Sequence, residues 1–353
     1  TLVIRGPGSD ALAISGIDAV RHFDLPAGDL TLQGMTLRNA RVVASSDPLQ
    51  RAGAAIRATI YTGLDCNAVD DPPDLRHLTL VDVAIVDNTV ISAIANFGSF
   101  GGGVAFSGGR LTIHDSRFDH NSADGAGGAI FAFNGNLRID NTVIAGNRVE
   151  STSNREYIEG GGVFALCMDG EINGSRIVDN QMRNGAGGST IVAEGIGLVW
   201  YPDTPGSVRS LRIANSEIAG NTTSIPVSAQ GGSLGGGILC DSLPGTSGLL
   251  SLVNTTVSGN LAEFGAGIGS ACPVSLQGST IAGNSSPDET GFGSPGIELG
   301  GGAAVLSLSA SLVANNTGGA DLAFFGEPGN NPSFGAVSAS LIRSIDGSAL
   351  PAP

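Results

Sequence analysis

Apolar and polar positions alternate along this chain in an eleven-residue phrase that returns nine times. The copies are LTLQGMTLRNA (30–40), LTLVDVAIVDN (78–88), LTIHDSRFDHN (111–121), LRIDNTVIAGN (137–147), GEINGSRIVDN (170–180), LRIANSEIAGN (211–221), LSLVNTTVSGN (250–260), VSLQGSTIAGN (274–284) and LSLSASLVANN (306–316). The third position is Leu or Ile in all nine copies, and the first is apolar in eight. That is the period-2 pattern of a strand with one face buried. The fifth position is usually Gly, Asn or Asp and the sixth usually Ser or Thr, residues that turn a chain and satisfy its backbone locally. The eighth is again apolar throughout, and the eleventh is Asn in eight copies, Ala40 being the exception.

Each phrase therefore predicts strand, sharp corner, second strand and an Asn turn. Between phrases lies a glycine block followed by a third apolar stretch: GGGVAF (101–106), GGAIFA (127–132), GGGVFA (160–165), GGGILC (235–240) and GAGIGS (265–270). One circuit takes 26 residues from Asn121 to Asn147, 33 from Asn147 to Asn180 and 24 from Asn260 to Asn284. No segment has helical periodicity. A repeat of this length cannot bury its apolar face alone, and stacking identical circuits about 4.8 Å apart turns each column into a ladder. The pattern predicts an all-β fold: one right-handed parallel β-helix over residues 1–353, with three short strands per rung and about nine or more rungs. Longer intervals predict outward insertions near 41–77, 148–159, 192–210, 222–234 and 285–300, where solenoids usually carry function.

Composition narrows the function classes. The formal charge is −15 and all 17 basic residues are Arg, which disfavours nucleic acid and anionic membrane partners and excludes a catalytic lysine. No apolar run reaches the roughly 18 residues of a membrane span. The chain opens on Thr1-Leu2-Val3-Ile4, already strand-like, and reads as a piece of something longer. Cys66, Cys167, Cys240 and Cys272 lack zinc-site spacing. Cys240 and Cys272 sit on equivalent blocks of successive repeats and are expected to form a disulfide in an oxidising compartment. For Cys66 and Cys167, pairing and simple burial both remain open.

The alternation of GGAI or GGGI blocks with [ST]-x-h-x-x-N phrases resembles the repeats of polymorphic outer membrane proteins of the chlamydial type. LVIRGPGSDALAISG (2–16), VRHFDLPAGDLTLQGMTLRN (20–39) and SASLIRSIDGS (338–348) are closer still to secreted bacterial β-helix proteins with a CSLREA-type N-terminal region. The resemblance rests on scaffold residues and carries no catalytic set. It implies export to the cell surface or beyond, as a structural or adhesive passenger facing host or environmental glycans or proteins.

Two short motif matches are coincidences of glycine content. Gly231–Gly235 fits G-x-S-x-G without the strand-to-helix turn that a nucleophile elbow needs, and Gly291–Gly296 fits G-x-G-x-x-G without a βαβ unit. A charged stripe is the stronger signal. Outward positions place His114, Arg117, Asp119 and His120 on one rung, Arg138 and Asp140 on the next, then Glu171 with Arg176 and Arg212 with Glu217. In an enzyme, Asp119 or Asp140 would be the acid or base and Arg117 or Arg138 would stabilise developing charge, as in a polysaccharide lyase or glycoside hydrolase. In a structural protein, the same residues form ladder ion pairs. Trp200 and Tyr201 either form an exposed aromatic platform for a sugar or partner or tuck down to cover the side of the solenoid. Asp65, Asp70, Asp71 and Asp74 form an oxygen-rich loop that is either simply solvated, with no cofactor, or a holder of Ca²⁺, though without EF-hand spacing. The favoured reading is a non-enzymatic, exported structural or adhesive β-helix, with the polysaccharide enzyme and a trimeric tailspike-like binder as alternatives.

Overall fold

The computed structural model describes residues 1–44, 51–59, 66, 76–92, 98–151, 157–184, 192–203, 208–224, 232–242, 247–287, 293–301, 304–325 and 332–346. Every strand pairing among them is parallel, and each strand pairs with its counterpart one circuit later. This is a parallel β-helix, right-handed as parallel crossovers are. One full rung runs through Ile130–Asp140, Val143–Ala145, Arg148–Ser151 and Tyr157–Glu159. The next repeats it as Val163–Asn173, Arg176–Val178, Gln181–Asn184 and Val192–Glu194.

The third strand anticipated from the glycine blocks merges with the first strand of the following phrase in Val104–His114, Ile130–Asp140 and Val163–Asn173, and stays separate as Ile238–Cys240 and Ile268–Ser270. Ile130–Asp140 is continuous because Asn134 adopts φ 50° beside Gly135, bending the strand without ending it. The extra strands form two corner sheets, of six and three strands among the described residues.

Both corners of the phrase are set by left-handed residues. The fifth position has φ between 48° and 64° in all nine copies, and the tenth between 53° and 69°. Gly, Asn and Asp dominate there because they tolerate this conformation. Ala310, at φ 49°, shows that the corner is imposed even on a residue that disfavours it.

The eleventh position forms a buried spine. From Asn88 to Asn316, each Asn backbone N–H donates to the next Asn Oδ1 at 2.9–3.2 Å, ending on Asp321. Each Nδ2 donates to that same oxygen at 2.8–3.0 Å. Its second hydrogen goes to a carbonyl of the preceding rung, at 2.8–3.2 Å. From Asn121 onward every amide hydrogen and both oxygen lone pairs are thereby used, as burial requires. Ala40 keeps its place by donating its N–H to Asn88 at 2.9 Å.

The first, third and eighth columns fill the lumen with Leu, Ile and Val, together with the inward residues of the glycine-block strands. Cys240 and Cys272, both buried, are bonded inside that lumen with Cα atoms 5.9 Å apart. Cys66 and Cys167 are bonded as well, 101 residues apart in sequence. Cys66 follows the strand Ile56–Ala58, and two rungs intervene before the strand that carries Cys167. The bridge lies against a second apolar cluster on the outside of the coil, where Phe131 stacks on Phe164 at 4.9 Å.

Within the expected insertions, the described residues include rung strands. Arg41–Ala44 and Ile56–Ala58 lie within 41–77, and Arg148–Ser151 and Tyr157–Glu159 within 148–159. Val192–Glu194 and Leu198–Tyr201 fall in 192–210, Thr222–Thr223 and Ser233–Leu234 in 222–234, and Ile297–Gly300 in 285–300. No described helix is long and apolar enough to cross a membrane.

Candidate functional site

Register stacks the charged residues in two columns, one before and one after the left-handed corner of the phrase. Arg138, Glu171 and Arg212 are register partners on successive rungs, as are Arg176 and Glu217. The charges pair. Asp140 Oδ2 accepts from Arg138 Nε at 2.6 Å and lies 3.0 Å from His114 Nδ1. Arg117 donates to Asp119 at 2.6 Å, Arg176 to Glu217 at 2.6 Å, and Arg212 lies 3.6 Å from Glu171. Beside the stripe a shallow depression of about 460 Å³ is lined by Arg110, His114, Asn136, Arg138, Asp169 and Glu171. Gly170, lacking a side chain, contributes to its floor.

Asp140 is nearly buried, and its Oδ1 has no hydrogen-bond partner. Its other oxygen is shared by a guanidinium and an imidazole. A carboxylate held this way is placed to orient His114 and Arg138 rather than to exchange protons with a substrate. His120 stands apart from this group. It occupies the left-handed corner at φ 55° and lies over Gly146, lining a separate hollow with Arg148 and Asp179.

Trp200 corrects one expectation. It is fully buried and donates its indole N–H to the Met168 carbonyl at 2.8 Å. The reason is alternation: Trp200 aligns with Ala165 and Cys240 in the inward column of the glycine-block strands. The small Ala165 next to it and Gly248, whose absent Cβ would stand 2.8 Å from the indole, make room. Asp65, Asp70, Asp71 and Asp74 lie outside the described residues, and no group of metal-ligating side chains occurs among the described ones.

Tyr201 faces outward beside its buried neighbour, but as part of a cluster the sequence did not reveal. Its hydroxyl is 2.8 Å from Glu159 Oε1 and 2.5 Å from Glu194 Oε2. Those glutamates are register partners in the three-stranded sheet. Burial pushes the Glu159 carboxyl up to about 7, with the neighbouring Glu194 adding to the effect against the Tyr201 hydrogen bond. Glu194 is also raised by burial, and burial lifts the Tyr201 phenol well above its ordinary range. A groove of about 170 Å³ continues from Glu194 past Leu234, Leu239 and Phe264 to Asp241 and Glu298. Burial raises Asp241, and lifts Glu298 to about 6 although Ser294 donates to it. One sequence signal was available: Glu159 and Glu194 each stand immediately before a left-handed glycine, 35 residues apart.

No protein family matches the sequence, and no curated protein does. Among solved structures, the chain is similar to tailspike protein 3 of bacteriophage CBA120, at 12% identity and a TM-score of 0.33. The match covers 99% of this chain and 57% of that one, so the chain spans somewhat more than half the length of the tailspike.

Proposed function

We propose that the protein is an exported, extracellular β-helix that serves as a rigid surface module and binds glycans on its charged face, without cleaving them. The observation that carries this reading is the pairing of the stripe. Arg138, Asp140, His114, Glu171 and Arg212 are held in a fixed grid by their neighbours beside an open depression. Such a grid offers preoriented donors and acceptors to sugar hydroxyls at little entropic cost. Each of these carboxylates is already bound by a base, which suits recognition better than proton transfer. Two disulfides favour an oxidising compartment.

Incubation with a panel of neutral and acidic polysaccharides, read for retention and for chain length, tests the proposal. Retention without shortening is expected, weakened about 10-fold by Arg138→Ala or Glu171→Ala, the loss of about 1.4 kcal/mol that one good polar contact supplies. Shortening of any polysaccharide that Asp119→Ala or Asp140→Ala abolishes would overturn the non-enzymatic reading and leave a lyase or hydrolase in its place.

A further inference from the structure

We propose that Glu159, Tyr201 and Glu194 form a proton-dependent clasp, closed while one carboxyl of the pair is neutral and loosened when both ionise. The inference follows from counting hydrogens. Tyr201 has one hydroxyl hydrogen, yet its oxygen lies 2.8 Å from Glu159 and 2.5 Å from Glu194. It donates to one carboxylate. The other contact is a hydrogen bond only if that carboxyl carries the proton and donates to the phenol oxygen. With both glutamates ionised, an oxygen lone pair faces a carboxylate at hydrogen-bond distance inside a half-buried corner, and the contact must open.

Among the described residues, no cation pairs with Glu159 or Glu194. Glu159 faces Glu194 from the adjoining strand and Tyr201 from the strand beyond the corner. On the strand Arg148–Ser151, which also packs against it, Arg148 and Glu150 lie 3.0 Å apart and pair with each other. On the preceding rung, Asp124 accepts from Ser99. Asp241 adds negative charge behind Glu194, and Asp203 does so behind Asp241.

What the clasp holds is the edge of the three-stranded sheet against the glycine-block strand, next to the groove that Glu194 lines. Its backbone consequences are specific. Gly160 N–H donates to the Glu194 carbonyl at 2.9 Å, and Gly127 N–H to the Glu159 carbonyl at 3.0 Å. The sign follows from the raised carboxyl of Glu159: the closed form is favoured at low pH and is lost as pH rises through about 7.

Amide hydrogen exchange of the whole chain at Gly127 and Gly160, corrected for the intrinsic base-catalysed rate, reads the clasp directly. A carboxyl that moves from 4.5 to about 7 on closure predicts an opening constant that rises up to about 300-fold between pH 4 and pH 9. In Glu159→Gln, which keeps a neutral group in place, the opening constants should be flat with pH. Opening constants that are flat in the unaltered protein, or that rise equally in Glu159→Gln and Glu194→Gln, would overturn the proposal. If neither variant folds, carbon-13 titration of the glutamate carboxyls in the unaltered protein decides it. A carboxyl assigned to Glu159 or Glu194 that titrates near neutrality supports the clasp, and both titrating below pH 5.5 refutes it.

Discussion

Replacing Asn221 with Ala removes one link of the spine and should be among the costliest polar substitutions in the molecule. The Asn221 side chain makes four hydrogen bonds in a fully buried site. Oδ1 accepts from Asn180 N at 3.0 Å and from Asn180 Nδ2 at 2.9 Å. Nδ2 donates to the Ile177 carbonyl at 3.1 Å and to Asn260 Oδ1 at 2.8 Å. Truncation orphans groups on two rungs, and the space left is too small and too enclosed to resolvate them well. Four bonds at roughly 1 kcal/mol each give a loss of about 4 kcal/mol. The control is Asn215→Ala on the same rung, an exposed corner whose amide bonds Asn173 and Asn254 at 2.9 Å. There water replaces the lost bonds, and the remaining cost is the left-handed backbone, about 1 kcal/mol. Urea denaturation of the two variants beside the unaltered protein measures both. If Asn221→Ala costs less than about 1.5 kcal/mol, or no more than Asn215→Ala, the spine is not the stabilising element described above.

Other consequences follow from the same packing. Trp200→Ala should destabilise by about 3–5 kcal/mol through the cavity it leaves, while polysaccharide retention by the folded fraction stays unchanged; an altered retention would restore Trp200 as a binding residue. Reducing or replacing the Cys240–Cys272 bond, which closes a separation of 32 residues, should lower stability by about 4 kcal/mol in denaturant unfolding. Glu298, lifted from 4.5 to about 6, destabilises the fold once ionised, so the penalty grows as pH rises from about 4.5 to 6 and then levels off. Glu298→Gln should therefore be more stable than the unaltered protein by about 2 kcal/mol at pH 8 and about equal to it at pH 4. A double-mutant cycle on the exposed Arg176–Glu217 pair should return a coupling below about 1 kcal/mol in 0.15 M salt.

The coil itself was legible because each rung must present the same edge to the next. Turn residues at the fifth and tenth columns, Leu and Ile at the third and Asn at the eleventh are consequences of stacking, and they recur wherever stacking does. The charge ladder was equally readable, since alternation and register determine which of Arg138, Glu171 and Arg212 meet. The place of Trp200 stayed open because its strand was read as an insertion. Aligned as GIGLVW with GGGVFA and GGGILC, it falls in the inward column. The Glu159–Tyr201–Glu194 cluster was legible only in the place of each glutamate before a rung glycine: it joins side chains across a corner, and period-2 alternation does not say how two faces meet there. The Cys66–Cys167 bond likewise depends on which rungs a departing segment crosses, which composition does not encode.

Two polar regions compete for the role of binding surface, and a single comparison separates them. Polysaccharide retention should be measured for a variant that neutralises the depression, Arg138→Gln with Glu171→Gln, and for one that neutralises the groove, Glu194→Gln with Glu298→Gln. Loss of binding in the first with retention intact in the second is the predicted result. Binding that survives the first and disappears in the second would contradict the assignment of the charged face as the glycan surface.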